Sequence, residues 1–295
     1  MKSKILHLVL LSLPGVAFVS CDNEEEPQVN PTEYRISWIH SDDSYQLFEY
    51  DASGRISEWK YGESSTGQAA IQSTYEYTRG ENVIAIVSKE KRGDDTWNFD
   101  ENLYLDQNGT ASHAIGSVIV TRSDGGRLMK KNYTADFKYN SSAQLAGIKI
   151  VEKLADDSGW EETNGLEWQV VLEWDGGNNL VKYSEFSNPE HPIITRTFTY
   201  FGGESAHNMP VVQGSILRPY YLPLQYQGIL GRQSVGLVKE MTAASNDRSF
   251  VTTFSYDIST SVYSSIVEGY SASRDGKETT FTLGWDTADN FKLNL

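Results

Sequence analysis

The chain has 295 residues, 39% hydrophobic and 12% aromatic, which is the make-up of a folded protein rather than a disordered one. Its formal net charge is −15, from 25 basic and 40 acidic residues, so nucleic acid is excluded as a natural partner and direct electrostatic adhesion to anionic lipid is disfavoured. One cysteine rules out a disulfide framework.

At the N-terminus, Met1-Lys2-Ser3-Lys4 is a short basic start. Ile5 to Leu13 is an apolar run of signal-peptide length, too short to span a bilayer as a helix, and Pro14-Gly15 breaks it. Ala17-Phe18-Val19-Ser20-Cys21 then resembles the lipobox of bacterial lipoproteins. That resemblance implies residues 1–20 as a cleaved signal peptide and Cys21 as the lipidated first residue of the mature chain; the alternative is a buried free thiol. Removing residues 1–20 takes away Lys2 and Lys4 and no acid, leaving 23 basic against 40 acidic residues and a net charge of −17. Residues 21–32, with Asp22-Asn23-Glu24-Glu25-Glu26, have no apolar face to bury and read as a flexible acidic tether. An acidic run behind the lipidated cysteine resembles the signal by which Bacteroidota lipoproteins reach the exterior of the outer membrane; the alternative is a plain solvated linker.

From residue 33 to 295 one pattern returns. Leu47-Phe48-Glu49-Tyr50-Asp51-Ala52-Ser53-Gly54-Arg55-Ile56 is an apolar pair spaced by two, then Asp, then a Gly-bearing turn, then an apolar residue opening the next run. Copies end at Leu105-Asp106, Tyr139-Asn140, Trp174-Asp175, Tyr256-Asp257 and Trp285-Asp286, with weaker ones at Tyr77 and Tyr200. The intervals run from 26 to 35 residues with one gap of 56, which a degenerate copy at Leu224-Gln225-Tyr226 could fill. Within each copy residues alternate, as in Leu166, Trp168, Val170, Leu172 and Trp174 against Glu167, Gln169, Val171 and Glu173. That is the mark of antiparallel strands with one buried and one wet face. Asp or Asn followed by Gly supplies one set of hairpin turns. A second set falls midway, at 62–67, 93–95, 123–126, 156–159, Asn188-Pro189 and Asp275-Gly276. The expectation is an all-β fold: a single-domain antiparallel up-and-down meander of seven or eight degenerate hairpin repeats and about 14 to 16 strands, curled or barrel-like, with a packed interior. Its one interruption, residues 208–234, carries Pro210, Pro219 and Pro223 and reads as an edge, a long loop or a short helical insert; insertions of that kind often plug or cap a curled sheet and can also carry function.

Tyr50-Asp51-Ala52-Ser53-Gly54-Arg55-Ile56 is similar to the YD repeats of Rhs-type shell proteins. The whole arrangement of lipobox, degenerate hairpins and Pro/Gly-rich interruption resembles the Bacteroidota lipoprotein domain of unknown function with a porin-like fold. The resemblance implies a barrel-like sheet and no catalytic residues. A transmembrane porin would turn its apolar side chains to lipid, whereas Glu167 and Glu173 sit opposite the apolar face here.

No Gly-x-Ser-x-Gly elbow is present. His40, His113, His191 and His207 have no ligand-spaced partner, so no metal or cofactor is expected. Asp94-Asp95 and Asp156-Asp157 lack EF-hand spacing and read as turns, as does the integrin-like tripeptide Arg92-Gly93-Asp94. Both Asp-Asp turns lead into tryptophan, Trp97 and Trp160, at the same end of the meander; each either packs onto a strand or offers a platform to a sugar ring. The function expected is a lipid-anchored, non-enzymatic surface module binding a glycan or an envelope protein, held to the outer membrane through Cys21 and facing the exterior. Two other readings are a polysaccharide hydrolase using a carboxylate pair that no motif identifies, and an accessory partner of an outer-membrane transporter.

Overall fold

The computed structural model describes residues 34–78, 82–187, 191–205, 218–245, 248–260 and 265–287. Sixteen strands run in chain order: β1 Tyr34–His40, β2 Ser44–Tyr50, β3 Ile56–Glu63, β4 Ala69–Tyr77, β5 Val83–Arg92, β6 Asp95–Leu105, β7 Ala111–Thr121 and β8 Arg127–Tyr139. There follow β9 Leu145–Leu154, β10 Leu166–Trp174, β11 Leu180–Phe186, β12 Ile194–Ser205, β13 Gly236–Ser245, β14 Arg248–Thr260, β15 Ser265–Arg274 and β16 Lys277–Thr287. Each pairs antiparallel with its sequence neighbours, and β16 closes on β1 through Trp285↔Ile36 and Leu283↔Ile39. Closure leaves no sheet edge with unpaired backbone groups.

The period-two pattern decides which face turns inward. On β6, Phe99, Glu101 and Leu103 are buried while Asp100 and Asn102 are exposed. On β10, Val170 and Leu172 are buried and Glu173 is exposed, with Trp168 and Trp174 packed against the core. Outward positions of neighbouring strands pair their charges, as in Lys149–Glu167 (2.8 Å) and Lys182–Glu173 (2.7 Å).

The recurring motif has a physical cause in each of its letters. In the turns after β2, β6, β8 and β10, the side-chain oxygen of Asp51, Asp106, Asn140 or Asp175 accepts the backbone N–H groups two and four residues on. The fourth turn residue has positive φ: Gly54 at 73°, Gly109 at 79°, but also Ala143 at 59° and Asn178 at 66°. The aromatic before the turn ties its hairpin to the preceding strand. Tyr50 donates its hydroxyl to the Ile36 carbonyl (2.7 Å), Tyr139 to Ala111 (2.8 Å) and Tyr200 to Leu180 (2.6 Å). The indoles of Trp174 and Trp285 do the same to Leu145 and Val267, both at 2.8 Å. Leu224-Gln225-Tyr226, by contrast, is no strand copy: Leu222–Tyr226 is a short helix, α1, entered through Pro223 after a 3-10 turn at Pro219–Tyr221. Asn188-Pro189 and residues 208–217 lie outside the described residues.

Because the Tyr139 hydroxyl contributes one hydrogen bond without filling the turn itself, Tyr139→Phe should lower stability by about 1 kcal/mol, read as a lower urea midpoint with unchanged slope.

Candidate functional site

A 16-stranded barrel is wide enough to leave a water-filled channel. In this chain the segment from Arg218 to Gly231, between β12 and β13, occupies that space against the inner wall of β2 to β9. Tyr220 and Tyr221 are both 0% exposed. The Tyr220 ring packs on Phe99 at 5.5 Å, the Tyr221 ring meets Phe137 edge-on at 5.6 Å, and Tyr226 meets Phe48 at 5.5 Å. Tyr75 of β4 donates to the Tyr220 carbonyl (2.7 Å).

The polar centre of this packing is Glu101 on β6. Its Oε2 accepts three phenolic hydroxyls: Tyr133 from β8 at 2.8 Å, and Tyr220 and Tyr221 from the plug at 2.9 Å each. Tyr133 and Tyr220 hydroxyls also lie 3.0 Å apart. Room for the Tyr133 ring comes from Gly116 on β7, where a Cβ would stand 2.5 Å from the tyrosine hydroxyl. Burial raises the Glu101 carboxyl above the usual range, opposed by the three hydroxyls and by Arg218. Burial likewise raises Tyr220 and Tyr221, so both remain O–H donors.

Beside it, Arg218 is enclosed between the Phe99 and Tyr133 rings, at 5.0 and 4.5 Å, and donates Nη2 to Glu152 Oε1 at 2.6 Å. Lys131 bonds the other Glu152 oxygen at 3.0 Å. Burial alone would raise Glu152; Arg218 and Lys131 outweigh it and hold the carboxyl below its ordinary value. Farther round the wall, Glu185 is buried beside Tyr183, with Arg196 at 3.6 Å. The interior is therefore aromatic and charge-paired, anchored by acids that strand alternation itself turns inward.

Nearer the mouth, the plug is stitched to the turns. The Gln227 side chain accepts from the Ile56 N–H (3.0 Å) and the Tyr77 hydroxyl (3.2 Å) and donates to the Gly54 carbonyl (3.1 Å). The Ile229 carbonyl accepts from Ala111, Gly231 bridges Gln144, and Ser234 Oγ accepts from Leu180. Between these stitches lies an open cleft of about 400 Å³, floored by Val83, Leu105 and Ile229 and rimmed by Arg55, Asn82 and Gln227. Arg55 is paired with Asp51 at 2.6 Å and lies over the Tyr77 ring at 4.3 Å.

Trp97 and Trp160 stand at the same end of the barrel but on different surfaces, with β7 and β8 between their hairpins. Trp97 shares the inward parity of Phe99, stacks with it at 6.4 Å and lies under the Arg92 guanidinium at 4.4 Å. Trp160 is 56% exposed on the β9–β10 connection. Cys21 and His207 lie outside the described residues; His40, His113 and His191 are exposed, and His113 stacks on Tyr104 at 4.4 Å. Asp156 binds the backbone of its own turn, while Asp157 pairs with Arg127 and Lys130. Glu101, Arg218, Tyr220 and Tyr221 were not singled out by sequence; the available signal was Glu101 falling on the parity of Phe99 and Leu103.

Glu101→Leu leaves phenolic donors buried without their acceptor and should cost at least about 2 kcal/mol, whereas Glu101→Gln keeps an acceptor oxygen. A folded-state pKa raised above its unfolded value contributes stability below the unfolded pKa that is lost as pH rises through the folded one. The Glu101→Gln urea midpoint should therefore gain on that of the wild type as pH rises from about 5 to about 8. For Glu152 the sign reverses: its stabilisation is present above the unfolded pKa and disappears on acidification through the lower folded value, so Glu152→Gln should flatten the acid limb of the stability profile.

No protein-family model matches the chain, and no curated protein matches it. Among solved structures it is similar to a porin-like protein from Bacteroides uniformis ATCC 8492, with a TM-score of 0.52 and 17% identity over 85% of this chain and 96% of that one. It is equally similar in shape to a porin-like protein from Bacteroides vulgatus ATCC 8482, with a TM-score of 0.52 and 11% identity over 85% of this chain and 98% of the other. At such identities the likeness is one of fold: an antiparallel meander closed into a porin-like barrel.

Proposed function

We propose that the chain is a lipid-anchored protein of the cell envelope whose barrel is a non-conducting, non-enzymatic binding or scaffolding module for a glycan or another envelope protein. The observation that carries this reading is the lumen itself: Tyr220, Tyr221 and Arg218 are buried within it and hydrogen-bonded to its wall. A barrel filled by its own chain offers surfaces rather than a path.

The outer surface supports the same reading. A membrane-spanning barrel presents an apolar band about 25 Å tall to lipid. Here outward positions carry Asp100 and Lys149 at mid-strand and Asp136, Lys138, Glu167 and Glu173 nearer the strand ends. Charged side chains at bilayer depth cost about 2 to 4 kcal/mol each for Lys or Arg, so these strands are suited to water. Attachment then falls to the N-terminus, where the signal-like run ends at Cys21 and the acidic tether begins. The location proposed is the outer membrane, lipid-anchored, with the barrel facing the exterior.

Two measurements test this. The full-length purified protein, added to a planar lipid bilayer, should give no stepwise conductance; reproducible single-channel steps would overturn the closed-barrel reading. In cells fed labelled palmitate, the wild-type chain should take up label and Cys21→Ser should not. Label retained by the variant would remove Cys21 as the anchor.

A further inference from the structure

The outward faces of the barrel differ from one side to the other. On β2 to β11 outward Lys and acid alternate, and several pair, as Lys182 does with Glu173 at 2.7 Å. From β12 round to β16 hydroxyls are the commonest exposed outward side chains, including Thr197, Thr199, Thr253, Ser255, Thr280 and Thr282, with Lys239, Asp257, Glu268 and Glu278 among them. Where β16 meets β1 this hydroxyl face runs up to Trp38, which is 39% exposed in the middle of a strand.

Trp38 is held flat. It pairs with Gly284 on β16, and a Cβ at that position would stand 1.9 Å from the indole Nε1. The missing side chain is what lets the ring lie across the sheet with one face to solvent. Covering a strand glycine with a neighbouring aromatic stabilises a sheet by itself. It does not explain the company the indole keeps. Leu47, its partner on β2, is 41% exposed. One step along, His40, Thr282, Gly269 and Asp257 form a continuous cross-strand register from β1 to β14. The Ser271 and Thr280 hydroxyls sit beside it, 2.9 Å from one another.

The geometry points to this seam as a binding site for a neutral polysaccharide chain, which deepens the proposed function and rests on it. A sugar ring has an apolar C–H face, which suits a flat, half-exposed indole, and a rim of hydroxyls that needs both donors and acceptors. Thr282, Thr280 and Ser271 supply either role, and Asp257 supplies an acceptor. Gly284 lies beneath the indole, and Gly269 puts no side chain between Thr282 and Asp257. Three interstrand steps of about 4.8 Å separate Asp257 from β1, a strip about 14 Å long. The net charge of −15 disfavours acidic glycans and leaves neutral ones.

The test is affinity electrophoresis of the full chain in native gels containing soluble mannan, dextran or galactomannan. At least one polysaccharide should retard the wild type, and Trp38→Ala should weaken that retardation about tenfold. Since Trp38→Ala also uncovers Gly284, a second variant, Thr282→Glu, alters the same face without touching the indole and should likewise lose retardation while unfolding at the wild-type temperature. Absence of retardation of the wild type in all three gels would overturn the proposal, and so would retardation unchanged in both variants. A wild-type dimer that Trp38→Ala dissociates in size-exclusion chromatography would overturn it too, by making the seam a contact between copies. Each of these results leaves conductance and Cys21 labelling as they were, so this site can fail while the envelope reading stands.

Discussion

The structure turns on one carboxylate. Glu101 Oε2 gathers a phenolic hydroxyl from the barrel wall and two from the inserted segment, and so joins two parts of the chain more than a hundred residues apart. A buried carboxylate without donors would cost several kcal/mol and take up a proton instead. With three donors it becomes a fixed point of attachment, and burial keeps each tyrosine protonated to serve it. The neighbouring Arg218 follows the same logic: enclosed between two rings, it is tolerable there because Glu152 meets its guanidinium and Lys131 completes the remaining oxygen.

Strand number makes such an attachment necessary. Side chains can fill a barrel of about eight strands, but at sixteen the wall residues cannot meet across the axis. Aromatic residues narrow the gap, and the 218–231 segment supplies the rest by entering the lumen from the mouth that holds the Asp/Asn turns. Its stitches to Gly54, Ile56, Tyr77, Ala111 and Gln144, continued by Ser234 to Leu180, touch five successive hairpins of that mouth. The outer face of the same wall carries charged pairs and hydroxyl rows.

What could be read from sequence was what local chemistry determines. Asp51 and Asp106 with their glycines specify a turn within five residues, and Val170 and Leu172 against Glu173 specify a face within four, so the all-β meander was legible. Copies lacking the turn glycine were harder to recognise because Ala143 and Asn178 adopt the same positive φ without it. The plug was not legible in its contacts: Leu224-Gln225-Tyr226 imitates the repeat while Pro219 and Pro223 favour helical turns, and the partner of Tyr221 lies 120 residues away. Inward acids were hidden for a related reason. Glu90, Glu101, Glu152 and Glu185 depart from the rule that acids face water; Glu101 and Glu152 are met by partners distant in the sequence, Glu90 and Glu185 by Arg92 and Tyr183 two residues away on their own strands. Trp38 escaped notice because its exposure depends on a glycine at the other end of the chain, Gly284, which closure brings beneath it.

The most direct test of a barrel closed by its own chain is native-state hydrogen exchange, resolved by residue. The amides of Ile229 and Arg232, bonded to Leu224 and Ala143, and the Ala111 amide, bonded to Ile229, should exchange as slowly as the central amides of β6 and β8, through the same global opening. Exchange of Ile229, Arg232 and Ala111 within seconds, while β6 and β8 stay protected, would mean that the segment does not reside in the lumen and that the barrel stands open.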